Sequence, residues 1–295
     1  MADVRVLTWN LFHGRDGFPG LGASWQTTIL GRPAKSGDYV HLNRKLIDEM
    51  AALVRTAAPT VAMLQEVPPG AIARIAHLTR MEAVGVRTGP LIGPLRIRAA
   101  LGAHNPDVWR THEGNANVLL VGDGWRIDGG SVRKLRLNPP LVMARAARRA
   151  RLGRSETLSW AAESRRLIAA SIVGPGGERI LAACTHCTTS QRVAHVEILR
   201  ARNHLVDWAG DLPILFGGDL NVGPDHPAVD LLTHEGFEER VPGVGIDHIF
   251  TRGLVQVSGR RWRPQERDLH VRLRGGVGRI RLSDHDPVEG LYRLW

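Results

Sequence analysis

A chain of 295 residues with 43% hydrophobic and 23% charged residues has ample material for a large core, which excludes a disordered or low-complexity protein. The formal net charge of +10 points to an anionic partner: nucleic acid, a phospholipid surface or a phosphorylated small molecule. All but three of the 39 basic residues are Arg, so part of that charge reflects coding composition rather than binding.

In chain order, Val4 to Trp9 alternates like a first strand. No basic, then apolar, leader precedes it and no apolar run reaches the length of a bilayer, so a cytoplasmic monomer is expected. Gly14 to Tyr39 is Gly-rich and irregular and reads as an inserted loop. Leu42, Leu46, Ile47, Met50, Leu53, Val54 and Ala57 share a helical face, and Pro59 ends that helix. Val61–Leu64 reads as a buried strand and Pro69 to Leu78 as a short helix. Strands are expected over Ala116–Val121, Val132–Leu137, Arg166–Val173 and Ile180–Thr185. Between them, Pro139 to Ser159 is a second insertion, a helix carrying Arg145, Arg148, Arg149, Arg151 and Arg154. A long helix follows Ser190, its plausible N-cap. Pro213–Phe216 is a strand, Pro227 opens a helix to His234, and strands at Ile246–Phe250, Leu254–Val257 and Val288–Leu294 complete the set. The Gly174-Pro175-Gly176-Gly177 turn marks a hairpin, so the sheets are mixed, and one layered α/β domain spanning 1–295 is expected.

Polar residues recur where buried strands surface: Asn10, Gln65-Glu66, His186, Asp219-Leu220-Asn221, Asp247-His248 and Ser283-Asp284-His285. A hard cation such as Mg²⁺ takes oxygen ligands, which Glu66, Asn10 and Asp284 can supply. Asp219 and Asn221 share a face in extended geometry and can orient water or a second metal. His186 and His285 can contact a scissile phosphate, with an Asp fixing the tautomer of one of them. No Gly-x-Ser-x-Gly turn argues for a serine hydrolase.

These motifs occur in the order found in the endonuclease/exonuclease/phosphatase superfamily, which the chain resembles from residue 4 to residue 295. That group includes DNase I-like nucleases, sphingomyelinase-like phosphodiesterases and inositol polyphosphate 5-phosphatases. The resemblance implies a four-layered α/β/β/α sandwich of two mixed sheets flanked by helices, with Mg²⁺-dependent cleavage of phosphate esters (Mn²⁺ substituting). It implies Glu66 as principal metal ligand beside Asn10 and Asp284. Asp219 and Asn221 would position water and phosphate, His285 would be the catalytic histidine oriented by Asp247, and His186 the phosphate-stabilising one. Arg165 and Asn10 would contact the phosphate. Cys187 replaces the Leu that often follows the His186 equivalent, and the segment 139–159 has no counterpart. A nuclease is the first expectation. A phospholipid or sphingomyelin-type phosphodiesterase or an inositol-phosphate phosphatase is the alternative, and a non-catalytic basic binding protein the third.

Other residues carry plainer readings. Cys184 and Cys187 read as small buried residues at a strand end, with a disulfide under oxidation as the alternative. His13, His41, His77, His104 and His112 read as solvated or loop residues. Trp25, Trp109, Trp160 and Trp262 fall in loop-like stretches, free to stack on bases or to shield the core. The Arg-rich tract Arg260 to Arg281, joined to the 145–154 cluster, reads as a candidate phosphate-backbone surface.

Overall fold

The computed structural model describes residues 2–17, 34–89, 115–161, 163–273 and 276–294. Its strands, in chain order, are β1 (Ala2–Asn10), β2 (Asp16–Gly17), β3 (Ala34–Ser36), β4 (Tyr39–His41), β5 (Val61–Val67), β6 (Glu82–Arg87), β7 (Ala116–Val121), β8 (Arg126–Ile127) and β9 (Arg133–Arg136). They continue as β10 (Arg166–Val173), β11 (Arg179–His186), β12 (Ile214–Asp219), β13 (Asp247–Arg252), β14 (Val255–Arg261), β15 (Asp268–Leu273), β16 (Gly276–Leu282) and β17 (Val288–Leu294). The helices are α1 (Ile47–Ala57), α2 (Ile72–Thr79), α3 (Pro140–Arg149), α4 (Arg154–Ala161), α5 (Gln191–Ala209) and α6 (Pro227–His234).

One sheet has the order β14-β17-β1-β5-β7-β6 and a second the order β13-β12-β11-β10-β8, with β9 also pairing β10. Each has one parallel pair, β1 with β5 and β11 with β12, among antiparallel neighbours. The sheets face each other over a shared core, and helices cover both outer faces. This is the expected four-layered architecture of mixed sheets.

Side-chain parity builds those layers. In β11, Ile180, Ala182 and Cys184 point between the sheets, whereas Leu181 and Ala183 point to the layer of α5 and α6. In β1, Val4 and Val6 point between the sheets, whereas Leu7 and Trp9 join the layer of α1. Strands buried on both faces read as continuous apolar runs, so β5, β7 and β10 to β12 are legible from sequence.

Several elements depart from expectation. Helix α1 starts only at Ile47, because Leu42 belongs to the segment whose amides are capped by the Asp16 carboxylate. Ser190 takes the N-cap position of α5, but its hydroxyl donates to Glu156 Oε1 at 2.9 Å instead of capping. The segment 139–159 forms two helices, α3 and part of α4. A third small sheet, β15-β16-β4-β3 with β2 on β16, occupies much of the tract read as a basic surface. Five of the tract's arginines are neutralised there: Arg281 and Arg279 pair with Asp268, Arg267 and Arg261 with Asp286, and Arg260 with Glu266 and Glu289. Trp160 and Trp262 are buried and shield the core, while Trp25, Trp109, His104 and His112 lie outside the described residues. Among the described residues no helix is long and apolar enough to cross a membrane.

Gly218 is the tightest point of the second sheet. Its φ of 135° lies where L side chains are strained, and an added Cβ would sit 1.9 Å from the Thr185 carbonyl oxygen. Gly218→Ala should therefore cost at least about 3 kcal/mol through strain and forced separation of β11 from β12. Urea unfolding measures it; a loss below about 1 kcal/mol would contradict the close approach.

Candidate active site

Pairing and parity together bring the polar strand ends to one edge. The parallel pairs align the C-terminal ends of β1 with β5 (Asn10 opposite Gln65) and of β11 with β12 (His186 opposite Asp219). The antiparallel strands β13 and β17 begin at the same edge, Asp247 opposite Asp219 and Val288 opposite Thr8. Alternation then aims Asn10, His186, Asp219 and Asp247 into the space between the sheets.

Glu66 breaks the alternation. Continued strand geometry would turn it to the helix layer, but the register slips between Leu64 and Val67 and Glu66 adopts φ 52°. A bulge of this kind re-aims a side chain. Asn221 (φ 54°) and Ser283 (φ 60°) bend the backbone at two further strand ends. Strain concentrated at these residues is characteristic of a site held by its scaffold.

Asp219 Oδ2 is the hub. It accepts from Asn10 Nδ2 at 3.0 Å and lies 3.5 Å from His186 Nε2 and 3.7 Å from His285 Nε2. Behind His285, Nδ1 donates to Asp247 Oδ2 at 2.8 Å, fixing the ring's orientation. Asp284 Oδ1 sits 4.0 Å from His285 Nε2. On the other flank, His186 Nδ1 lies 3.9 Å from Glu66 Oε1, and His13 Nε2 lies 3.2 Å from Glu66 Oε2. The turn bearing Asp284 and His285 is anchored by Trp9 Nε1, which donates to the His285 carbonyl at 3.0 Å. Ser283 Oγ donates to the Asn10 carbonyl at 2.6 Å, and buried Arg267 donates to the Ser283 carbonyl at 2.8 Å.

His13 corrects the reading of a solvated loop residue, as does His41, which is also buried. After Asn10 the chain turns through left-handed Phe12 and His13, and the Asn10 side-chain oxygen accepts from the Phe12 amide. Gly14 lets that turn close: an added Cβ would meet Ile47 Cδ1 at 2.2 Å. The sequence signal was present, a His and a Gly within four residues of a polar strand end. Asn221 corrects a geometry. It does not continue the strand beside Asp219, but folds back so that its amide nitrogen meets Asp219 Oδ1 at 3.0 Å and its side chain donates to the Cys187 carbonyl.

Arg165 stands apart. It is buried and paired with Glu163 at 2.8 Å, and no hydrogen bond or ion pair among the described residues joins it to the Asp219 cluster. Its positive charge instead favours the ionised forms of Cys187 and Glu197. His248 faces away from Asp247 and is structural, donating to Glu239 and to the Val222 carbonyl.

Electrostatics follow from this crowding. Burial opposes charge on Glu66, but His13, His186 and His285 outweigh it and hold its carboxyl at about 2. Burial pushes Asp219 up, assisted by Asp247. Asp284, with 30% of its side chain open, is raised to about 6 by partial removal from water and by the charges of Glu66 and Asp219. Burial alone would lower His285, but Asp247, Asp219 and Asp284 overcome it and keep the imidazole well above its ordinary value.

Asp219, Asp247 and His285 bring three ligand-type atoms within 4.8 Å of one another, with Asp247 Oδ2 and His285 Nδ1 joined by a hydrogen bond of 2.8 Å. The residues that fit a hard divalent cation are Glu66, Asp284 and the Asn10 side-chain oxygen. The charge of Glu66 helps to raise Asp284, a repulsion that such a cation would relieve.

A family model described as the Endonuclease/Exonuclease/phosphatase family matches residues 7–285. The chain belongs to the endonuclease/exonuclease/phosphatase family. Members of the family hydrolyse phosphate esters, generally with a divalent metal, which accords with this edge of acids and imidazoles. Among solved structures, a family protein from Bacteroides vulgatus shares 17% identity at a TM-score of 0.61, covering 100% of both chains. A mannosyl-6-phosphatase of Bacteroides thetaiotaomicron VPI-5482 shares 12% identity at a TM-score of 0.63, over 99% of this chain and 100% of that one. The catalytic domain of human Nocturnin, solved with a bound sulfate anion, shares 14% at 0.60, over 99% and 95%. At these identities the likeness shows the fold. No curated protein sequence matches this chain.

Within this family fold, the loop after His186 is braced by a buried carboxyl. Glu197 accepts from Trp160 Nε1 and, at 2.8 Å, from the Thr188 amide. Burial pushes Glu197 up to about 7, although Arg165 and both donors oppose it. The folded chain thus keeps this proton to about pH 7, whereas an unfolded Glu releases it near 4.5. Glu197 favours folding most below the unfolded value, and that contribution is lost as pH rises through 7. The Tm advantage of wild type over Glu197→Gln should therefore be greater at pH 5 than at pH 8. A pH-independent difference would refute the assignment.

Proposed function

We propose that this protein is a Mg²⁺-dependent phosphodiesterase acting on nucleic acid. The observation that carries the chemistry is the Asp247–His285 pair, aimed so that His285 Nε2 comes within 3.7 Å of Asp219 Oδ2. The preference for nucleic acid rests on the basic charge of the chain.

In this reading Glu66, Asn10 and Asp284 hold the cation, which when bound supplies charge neutralisation at the phosphate oxygens. Asp219, its proton affinity raised by burial and by Asp247, orients the attacking water and draws on its proton, with Asn221 fixing the carboxylate through its amide. His285, kept protonated by Asp247, faces the phosphate and offers positive charge as negative charge develops. His186, between Glu66 and Asp219, is the second imidazole on the phosphate side. Asn10 tethers Asp219. Arg165 keeps the phosphate-binding role that the resemblance implies: only its Nη2 is taken by Glu163, while Nε and Nη1 are buried donors without a hydrogen-bond partner among the described residues.

The test is parallel incubation with Mg²⁺ against plasmid DNA, RNA, sphingomyelin and inositol phosphates, with EDTA controls. Cleavage of nucleic acid that EDTA abolishes is expected; turnover of the lipid alone would overturn the nuclease assignment. Glu66→Ala, Asp219→Ala and His285→Ala should each lower the rate by about 10²- to 10⁴-fold while circular dichroism shows an unchanged fold. Full activity in all three would overturn the site.

A further inference from the structure

We infer that the α3–α5 cleft is a second, sequence-independent subsite that grips the sugar–phosphate backbone of a nucleic-acid substrate away from the scissile phosphate. This deepens the nuclease reading and rests on it.

The charge is placed for that task. Between Asp128 and Glu156 the chain has no acidic residue but eight basic ones, from Arg133 to Arg154. None of the eight forms an ion pair with a carboxylate among the described residues. Five arginines of 260–281 show the opposite condition: Arg260, Arg261, Arg267, Arg279 and Arg281 pair with Glu266, Asp268, Asp286 or Glu289. Uncompensated charge on an exposed helix disfavours the compact state and is balanced when an anion binds.

The shape is also suitable. Met143 and Ala146 bury one face of α3 with Trp160 and Val193. Beside this cluster, α3 and α5 leave between them a cleft of about 570 Å³ rimmed by Arg145, Arg149, Arg192 and His195. Arg145 and Arg149 lie one turn apart, about 6 Å along the axis, so the rim is a row of positive charge rather than a point. Val142, Ala146, Ala150 and Val196 form an apolar floor against which a sugar or base can lie. Arg192 is held in place by Glu156 at 3.1 Å and by the Ala150 carbonyl.

Position ties the cleft to the chemistry. Helix α5 starts five residues after His186, a separation of at most about 18 Å of chain. Buried Asn138 fastens the base of the α3–α4 hairpin to the same end of the sheet. Its side chain accepts from the Arg165 amide at 2.9 Å and donates to the Glu163 and Trp160 carbonyls. A polyanion lying across the strand-end site therefore has a second cationic row within a few nucleotides. A small phosphate ester does not reach it. Exposed Leu141 and Leu158 on the same hairpin identify the competing occupant, an anionic bilayer, which the test separates.

The experiment compares wild type with Arg145→Ala/Arg149→Ala and Arg145→Lys/Arg149→Lys. Binding of a fluorescent oligonucleotide, as DNA and as RNA, is measured in EDTA across a salt series, so that chemistry is silent. With Mg²⁺, turnover of bis(p-nitrophenyl) phosphate and cleavage of the oligonucleotide are followed, and vesicles with and without phosphatidylserine are tested for binding. The Ala pair should bind the oligonucleotide at least about tenfold more weakly and flatten the salt slope by about 1.4, two single-strand phosphate contacts. The Lys pair should keep the slope, and the small ester should turn over at the wild-type rate in all three proteins. Unchanged oligonucleotide binding in the Ala pair overturns the subsite, as does a defect confined to anionic vesicles. Arginine-dependent binding without any cleavage of nucleic acid by wild type supports the surface and overturns the nuclease reading instead.

Discussion

Glu66, Asp219, Asp247 and Asp284 converge on one edge of two facing sheets, and the architecture of that edge follows from the need to hold four carboxylates together. Three imidazoles and one carboxamide are interleaved among them, each set against a particular oxygen. Partial desolvation strengthens every attraction and every repulsion, so removing a single cation from the set would leave an uncompensated charge. The parallel pairs bring the strand ends level, the bulge at Glu66 turns its side chain inward, and Trp9, Ser283 and Arg267 hold the last turn against the first strand.

Most of the scaffold was legible because it obeys simple periods. Ala116–Val121 and Val288–Leu294 have the bounds expected from their apolar runs, and Pro227–His234 from its opening Pro. What escaped were short strands whose existence depends on distant partners. Among the described residues Ala34–Ser36 pairs only with Tyr39–His41, and the two strands from Asp268 to Leu282 look like charged loop because their burial is partial. The site was legible as a list of strand-end polar residues, and its geometry was not. His13 was missed because a left-handed turn carries it back beneath Glu66, and Asn221 was misplaced because a strand was extended past its end. Periodicity rules assume ordinary dihedrals, and the functional edge departs from them.

Charge was the weaker guide when taken as a sum. Two Arg-rich segments differ in the folded chain. Most arginines of one form a network of pairs around Asp268, Asp286 and Glu289 that knits the small sheet to the turn bearing Asp284 and His285, and those of the other have no acidic partner among the described residues. Composition counts cations, and only tertiary structure shows which are already spent. The family sets the class of bond, a phosphate ester, and the segment from Arg133 to Arg154 is the stretch whose charge the described carboxylates leave open.

The two cysteines are unpaired and buried, and burial pushes Cys184 up to about 12 and Cys187 well above its ordinary value. Cys184 lies in the seam between the sheets, where Gln65 donates to its sulfur at 3.2 Å. Because thiolate is the reactive form, neither sulfur offers a nucleophile to the solvent while the sandwich is closed. Cys184 is therefore a built-in clock for separation of the sheets: the rate at which a thiol reagent consumes it measures how often the two sheets part company, whereas Cys187, packed in the layer of α5, reports the opening of that layer.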